Sequence, residues 1–348
     1  MNVRAWMAVA LVLVVAPVAR AQTDGGPPTN FDEYEDAYRF KCNAPLVTFE
    51  PPDVRELGGF RYEHTGSTVK IRRTSPRHGP LRIGVLSAVK DVDPETLSVV
   101  QGFLDRFEKD DAELIVVGGD TAEEPAALEK FYVWIAGQTK RPVLTVPGNS
   151  ERPAAHNYAV IKARRAGALN LITVNLVRHV DADGIDVVGL GGYYNKAFLH
   201  MGGACVYSPG DVEAVVAAAK TADDPVLLLM HGPPQQKGKA AIDYVPGDGN
   251  VGDPQITRAI QEAKIPFGIH GHILEAGGTA TDLTGHPVKP GKLVPALYLN
   301  PGSANPLPWK LNAGGTSYGM AAVLTIQGKK AKYEVLRAPK PVAKDDVR

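Results

Sequence analysis

Ala112 to Asp120 reads AELIVVGGD, in which the unbroken apolar run Leu114 to Val117 leads into two glycines and a carboxylate. An apolar run without polar alternation marks a strand buried on both faces, the pattern of a parallel sheet covered by helices. The glycines suit a tight turn or a close backbone approach at the strand end. In open α/β sheets, ligands bind beyond the carboxyl ends of the strands, which is where Asp120 stands.

The pattern repeats on either side. LRIGVLSAV (81–89), RPVLTVPGN (141–149), IDVVGLGGYY (185–194), DPVLLLMHG (224–232) and IPFGIHGH (265–272) are further strand-length apolar runs. Between them, 94–110, 125–138, 156–167, 210–222 and 252–264 carry apolar residues at helical spacing. Strand–helix alternation predicts right-handed crossovers in a layered α/β fold. The end of the chain changes character. LVPALYLNPGS (293–303), SYGMAAVLTIQG (317–328) and KKAKYEVLRA (329–338) read as consecutive strands joined by turns.

The strand ends deliver a coherent set of polar residues. GGD gives Asp120, PGN gives Asn149, LLLMHGPP gives His231, and GIHGH gives His272 with His270 one pleat earlier. A carboxylate, an amide and two imidazoles at successive strand ends suit a hard-to-borderline divalent ion. Alone, each motif reads more plainly as a turn, a helix cap or a buried imidazole. His156, Asn157, His200 and His286 read as surface histidines and caps.

Composition narrows the partners. The 348 residues include 38 basic and 38 acidic side chains, so nothing argues for nucleic-acid binding. Hydrophobic residues make up 44%, enough for a sizeable core. Arg4, the apolar Ala5 to Pro17 and the small-x-small Ala19-Arg20-Ala21 form a signal-peptide pattern, with cleavage expected after Ala21. The mature chain is therefore expected to be secreted or periplasmic, with no integral membrane segment. Export allows Cys42 and Cys205 to pair, although two unpaired thiols fit the sequence equally well. Residues 22–80 read as a leader with some β-structure, 81–337 as the main domain, and 338–348 as a polar tail. Nothing in the sequence sets an oligomeric state.

With GGD, PGN-x-E, HGPP, GHI-x-E and the later NPGS in this order, residues 81–337 resemble the calcineurin-like metallophosphoesterases. The resemblance implies a four-layer α/β/β/α sandwich and hydrolysis of phosphate mono- or diesters. It also implies a divalent metal, Mn, Fe or Zn. In such enzymes two metals about 3.5–4 Å apart clamp the reacting oxygens and lower the pKa of a water.

The resemblance also shows what is missing. Family members end their first strand in Asp-x-His, where this chain has Ala88 and Lys90. The family's Gly-Asn-His is Gly148-Asn149-Ser150, and its final Gly-His-x-His is Gly271-His272-Ile273-Leu274. Every private ligand of the first metal is replaced, at Ala88, Lys90 and Leu274. The ligands implied for the second remain: Asp120, Asn149, His231 and His272. One ion is thus expected, with a second available if His270 served as a ligand. Lys90 is expected to stand near Asp120 and supply part of the lost positive charge, so Lys90 and Asn149 are the residues expected to carry the chemistry. The alternative is a pseudoenzyme, a metal-stabilised domain that binds a phosphorylated ligand or partner.

Overall fold

The computed structural model describes residues 52–65, 67–200 and 204–340. The expected signal segment and Cys42 lie outside them. Among the described residues no helix is long and apolar enough to cross a membrane.

The strands are β1 Asp53–Leu57, β2 Phe60–Thr65, β3 Thr68–Arg73, β4 Leu81–Leu86, β5 Leu114–Val117, β6 Val143–Thr145, β7 Leu171–Thr173, β8 His179–Ala182, β9 Ile185–Leu190 and β10 Val226–Met230. They continue with a small hairpin, β11 Tyr244–Val245 and β12 Gly249–Asn250, then β13 Phe267–Ile269, β14 Thr279–Thr281 and β15 Leu297–Asn300. A second hairpin, β16 Trp309–Lys310 and β17 Thr316–Ser317, precedes β18 Met320–Gln327 and β19 Lys330–Arg337. The helices are α1 Pro94–Lys109, α2 Pro125–Gln138, α3 Pro153–Arg165, the short α4 Val174–Val177, α5 Pro209–Lys220 and α6 Pro254–Ala263.

Two large sheets result. A six-stranded sheet runs β19-β18-β4-β5-β6-β7, and a nine-stranded sheet runs β1-β2-β3-β8-β9-β10-β13-β15-β14. Their centres are parallel, β4 to β7 in one and β9-β10-β13-β15 in the other. The strands before residue 81 form a meander that joins the larger sheet through a parallel β3–β8 pairing.

Alternation within each strand builds the layers. Leu114, Val116, Leu227 and Leu229 point into a core between the two sheets. Ile115 and Val117 point the other way, against Phe103 and Phe107 of α1 and Phe131 and Tyr132 of α2. Leu228 and Met230 face Val215 of α5 and Ile260 of α6. The architecture is therefore α/β/β/α, as the sequence leads one to expect. Helix starts follow the chemistry of the free N–H groups. Asp93 caps α1 by accepting from the Thr96 N–H at 2.8 Å, and Ser208 and Asp211 form a capping box on α5.

Packing on β4 is tight. A Cβ placed on Gly84 would lie 2.4 Å from the Phe107 ring, which is itself buried. Gly84→Ala should cost about 1–3 kcal/mol through overpacking. Urea unfolding should show a lower midpoint with an unchanged slope.

Candidate metal centre

The polar strand ends meet at the carboxyl edge of both sheets. Asp120, Asn149 and His231 are buried, and His272 is half-buried. Glycines let the strand ends touch. A Cβ on Gly119 would stand 2.7 Å from Gly148 N and from His231 Nδ1, and one on Gly148 would stand 2.2 Å from Asp120 Oδ1. Ala88, Lys90, Asp120 and His272 all adopt positive φ, between 48° and 66°. Such backbone costs about 1–3 kcal/mol per residue and persists only where surrounding contacts over-determine it.

Those contacts are specific. Asp120 Oδ1 accepts the Asn149 and Ser150 N–H groups, both at 3.0 Å. Glu151, fully buried, accepts from the N–H groups of Asp120 at 3.1 Å, Gly148 at 2.7 Å and Thr121. Burial, then the Asp120 carboxylate, pushes the Glu151 carboxyl up to about 7. The loop after β4 hangs from the NPGSANP segment. Ser303 Oγ donates to Ala88 O at 2.8 Å, and Asn305 Nδ2 donates to Val89 O at 2.8 Å.

The imidazoles close the cluster. His231 Nδ1 donates to Gly118 O at 2.8 Å, which leaves Nε2 as a lone pair while the ring is neutral. Burial keeps it neutral by lowering its pKa against the opposing pull of Asp120. That lone pair faces Asn149 Oδ1 at 2.8 Å and Asp120 Oδ1 at 3.3 Å. The amide cannot turn to offer its N–H, because Asn149 Nδ2 donates to Phe198 O at 2.6 Å. His272 Nδ1 faces the same Asn149 Oδ1 at 2.8 Å, and burial, then His231, pushes its pKa down to about 3. His231 Nε2, Asn149 Oδ1 and Asp120 Oδ1 thus face one another with no proton between them, an arrangement that a cation relieves. Among the described residues no three His, Cys, Asp or Glu side chains form a metal-binding group by themselves. Convergence here runs through Asn149, the common neighbour of both rings.

Lys90 and Asp120 form an ion pair through Asp120 Oδ2. Burial opposes the ammonium, but Asp120 outweighs it and raises the Lys90 pKa. Asp120 is held far below the usual carboxylate range, because His231 and Lys90 overcome the effect of burial. Leu274 lies half-buried in a short 3-10 turn. His270 does not join the cluster. Its Nδ1 donates to Gly232 O at 3.0 Å, its ring stacks on Tyr298, and its Nε2 is buried beside Gly268 without a partner.

Other histidine readings need correction. His156 and Asn157, expected at the surface, are fully buried, because α3 packs this face against the sheet. Tyr132 and Thr173 satisfy His156 at 2.9 and 3.1 Å. His200 and His286 are exposed, at 53% and 83%. Sequence reading gave no role to Glu151, although it stands in PGN-x-E. It also missed Tyr193, whose ring centroid lies 4.0 Å from that of His272. No sequence pattern marks Tyr193. Cys205 is disulfide-bonded.

No family model matches the chain, and no curated protein matches it. Solved structures do. TT1561 of Thermus thermophilus is 16% identical, with a TM-score of 0.51, over 74% of this chain and 99% of that one. A second solved chain, also 16% identical with the same coverage, has a TM-score of 0.56. A dimetal phosphatase from Danio rerio is 12% identical, with a TM-score of 0.47, over 74% and 99%. Likeness at this level of identity is likeness of fold, and the sandwich described above is that fold.

The buried histidines set an acid limit. Burial lowers His64 and His270 to about 4, and His156 and His272 to about 3, from 6.5. Each binds its proton more weakly folded than unfolded. Its contribution is therefore fully present above pH 6.5 and is lost as pH falls toward 3. His156→Gln should flatten stability against pH in this window by up to about 1.4 kcal/mol per unit, measured by urea unfolding.

Proposed function

We propose that this chain is an exported, metallophosphoesterase-like protein that hydrolyses phosphate mono- or diesters using a single divalent cation, Mn, Fe or Zn. The observation that carries this reading is the lone pair of His231 Nε2 facing two oxygens, Asn149 Oδ1 at 2.8 Å and Asp120 Oδ1 at 3.3 Å. Asp120, Asn149, His231 and His272 would hold the ion. When bound, the ion supplies a Lewis acid for a phosphoryl oxygen and lowers the pKa of a water.

The remaining work falls to the chain. Gly118 O fixes the His231 tautomer, and Phe198 O fixes the Asn149 amide. Lys90 takes the second oxygen of Asp120, where the family resemblance places the other metal. Its side chain is 30% exposed, so the charge is reachable by an anionic ester and partly screened by solvent.

A second reading, a domain that binds phosphate esters without turnover, is favoured by Ser150. This residue stands where the resemblance places a histidine, and its Oγ is buried without a partner. Losing both the first metal of the family pair and that imidazole would remove contributions normally worth orders of magnitude in rate.

Metal content after loading with Mn, Zn or Fe, together with turnover of a bis-aryl phosphodiester, separates these readings. One ion per chain with turnover that Asp120→Ala abolishes is the expected result. One ion with turnover no greater than Asp120→Ala selects the binding reading, and two ions refute the single-cation site. Lys90→Ala should weaken inhibition by inorganic phosphate about tenfold, corresponding to roughly 1.4 kcal/mol. Unchanged inhibition would remove Lys90 from the site.

A further inference from the structure

A second group of polar side chains lies at the opposite pole from the cation cluster, at the amino-terminal edge of β4. Arg82 stands at the start of β4, whereas Ala88 and Lys90 follow its end. Lys109 ends α1, whose first turn follows the Lys90 loop. Sixteen residues of helix span about 24 Å, so the two poles are well separated.

Register aligns three donors. Thr325 of β18 pairs with Arg82 of β4 on one side and with Lys332 of β19 on the other. Neighbouring strands stand about 4.8 Å apart, so the three residues form one row across the sheet. Alternation turns this row toward the helix layer. Leu81, Ile83, Leu324, Ile326, Ala331 and Tyr333 flank it along the strands and belong to the core between the sheets. Val323, two residues before Thr325, packs in the helix-side core. Arg82, Thr325, Lys332 and Lys109 line one cavity of about 550 Å³. Among the described residues, Arg82, Lys109 and Lys332 form no ion pair. The Thr325 hydroxyl forms no hydrogen bond among them either, although Thr325 is only 6% exposed. The acids in the same lining are engaged elsewhere. Asp110 and Glu334 pair with Arg106 at 2.7 and 2.8 Å, and Asp111 pairs with Arg141 at 3.2 Å. Those ion pairs run to cations outside the lining, and the three cations within it are left over.

We propose that this cavity is a binding site for a phosphate group. Its donors are a guanidinium fork, two ammonium groups and a hydroxyl, none of which can accept a hydrogen bond from a cationic ligand except the hydroxyl. A guanidinium meets two oxygens of an anion at once, and each ammonium adds a point charge. That set offers more donors than one carboxylate can use and suits the several oxygens of a phosphate. Thr325 gains the partner that its burial otherwise denies it. The inference is independent of the cation site and of hydrolysis. A phosphate group is presented in two forms, as the free anion and as a phospholipid headgroup, and the experiment separates them.

The test uses the full mature chain, stripped of metal with EDTA. Inorganic phosphate is titrated calorimetrically into the wild type, Arg82→Gln and Lys332→Gln. The expected result is one phosphate per chain in the wild type and about tenfold weaker binding in each variant, since each loses a charge-assisted hydrogen bond. Lys90→Ala, which alters the opposite pole, should leave this affinity unchanged. Absence of binding at millimolar phosphate would overturn the proposal, as would equal affinity in the wild type and both Gln variants. Binding lost in Lys90→Ala and kept in Arg82→Gln would overturn it too, by placing the anion at the cation cluster. If Lys90→Ala does not fold, the two Gln variants decide alone. Sedimentation with vesicles of phosphatidylcholine and phosphatidylglycerol then identifies the source. Co-sedimentation that Arg82→Gln abolishes supports the cavity as a headgroup site. Calorimetric binding without co-sedimentation supports it as a site for the free anion. Both measurements are made without metal, so the cation site stands or falls apart from them.

Discussion

The Asp120 carboxylate is 2% exposed and stands two glycines beyond a strand whose residues are all apolar. A buried charge without compensation costs several kcal/mol, so everything around it must help to hold it. Two backbone N–H groups reach one oxygen and the Lys90 ammonium reaches the other. Each of these partners requires a particular backbone. The N–H groups come from a turn that approaches closely only because residue 148 is glycine, and Lys90 arrives on a loop with positive φ at residues 88 and 90. Glu151 ties the turns after β5 and β6 together by accepting from both. The strand ends of the six-stranded sheet are thus organised around one negative charge.

The nine-stranded sheet contributes the imidazoles, and its contribution depends on that first arrangement. His231 is fixed by a carbonyl of the other sheet, Gly118 O, and its free nitrogen then meets the oxygens of Asn149 and Asp120. The cluster therefore spans both sheets and exists only when they are packed face to face. The core of β4, β5, β10 and β13 residues between the sheets sets that spacing. Stability and function are coupled here, because loosening the core would separate the donors.

Lys90 changes the character of the centre. An ammonium paired with a buried carboxylate is a fixed charge, whereas a metal ion is exchangeable and brings open coordination positions. On the proposed reading, an ammonium in place of an ion would supply part of the charge that balances Asp120 and would give up the clamp on two reacting oxygens. Beside it, the Ser150 hydroxyl is buried without a hydrogen-bond partner.

Much of this was legible in the order of residues alone. Apolar runs without alternation identified doubly covered strands, because a strand buried on both faces tolerates no polar side chain. The residues after each run located the edge of the sheets where the centre forms, since strand ends are the only places such strands can carry polar groups. Lys90 could be placed near Asp120 only through the family resemblance; the structure supplies the reason, because the two residues follow neighbouring parallel strands, β4 and β5. What the sequence could not decide were contacts between residues distant along the chain. The burial of His156 depends on which face α3 turns to the sheet, and the exclusion of His270 depends on the direction of its pleat. Glu151 became a clamp only once two turns were brought together, and Tyr193 met His272 only once its loop folded over that ring. Local pattern records what each segment must bury. Packing alone decides which buried groups meet.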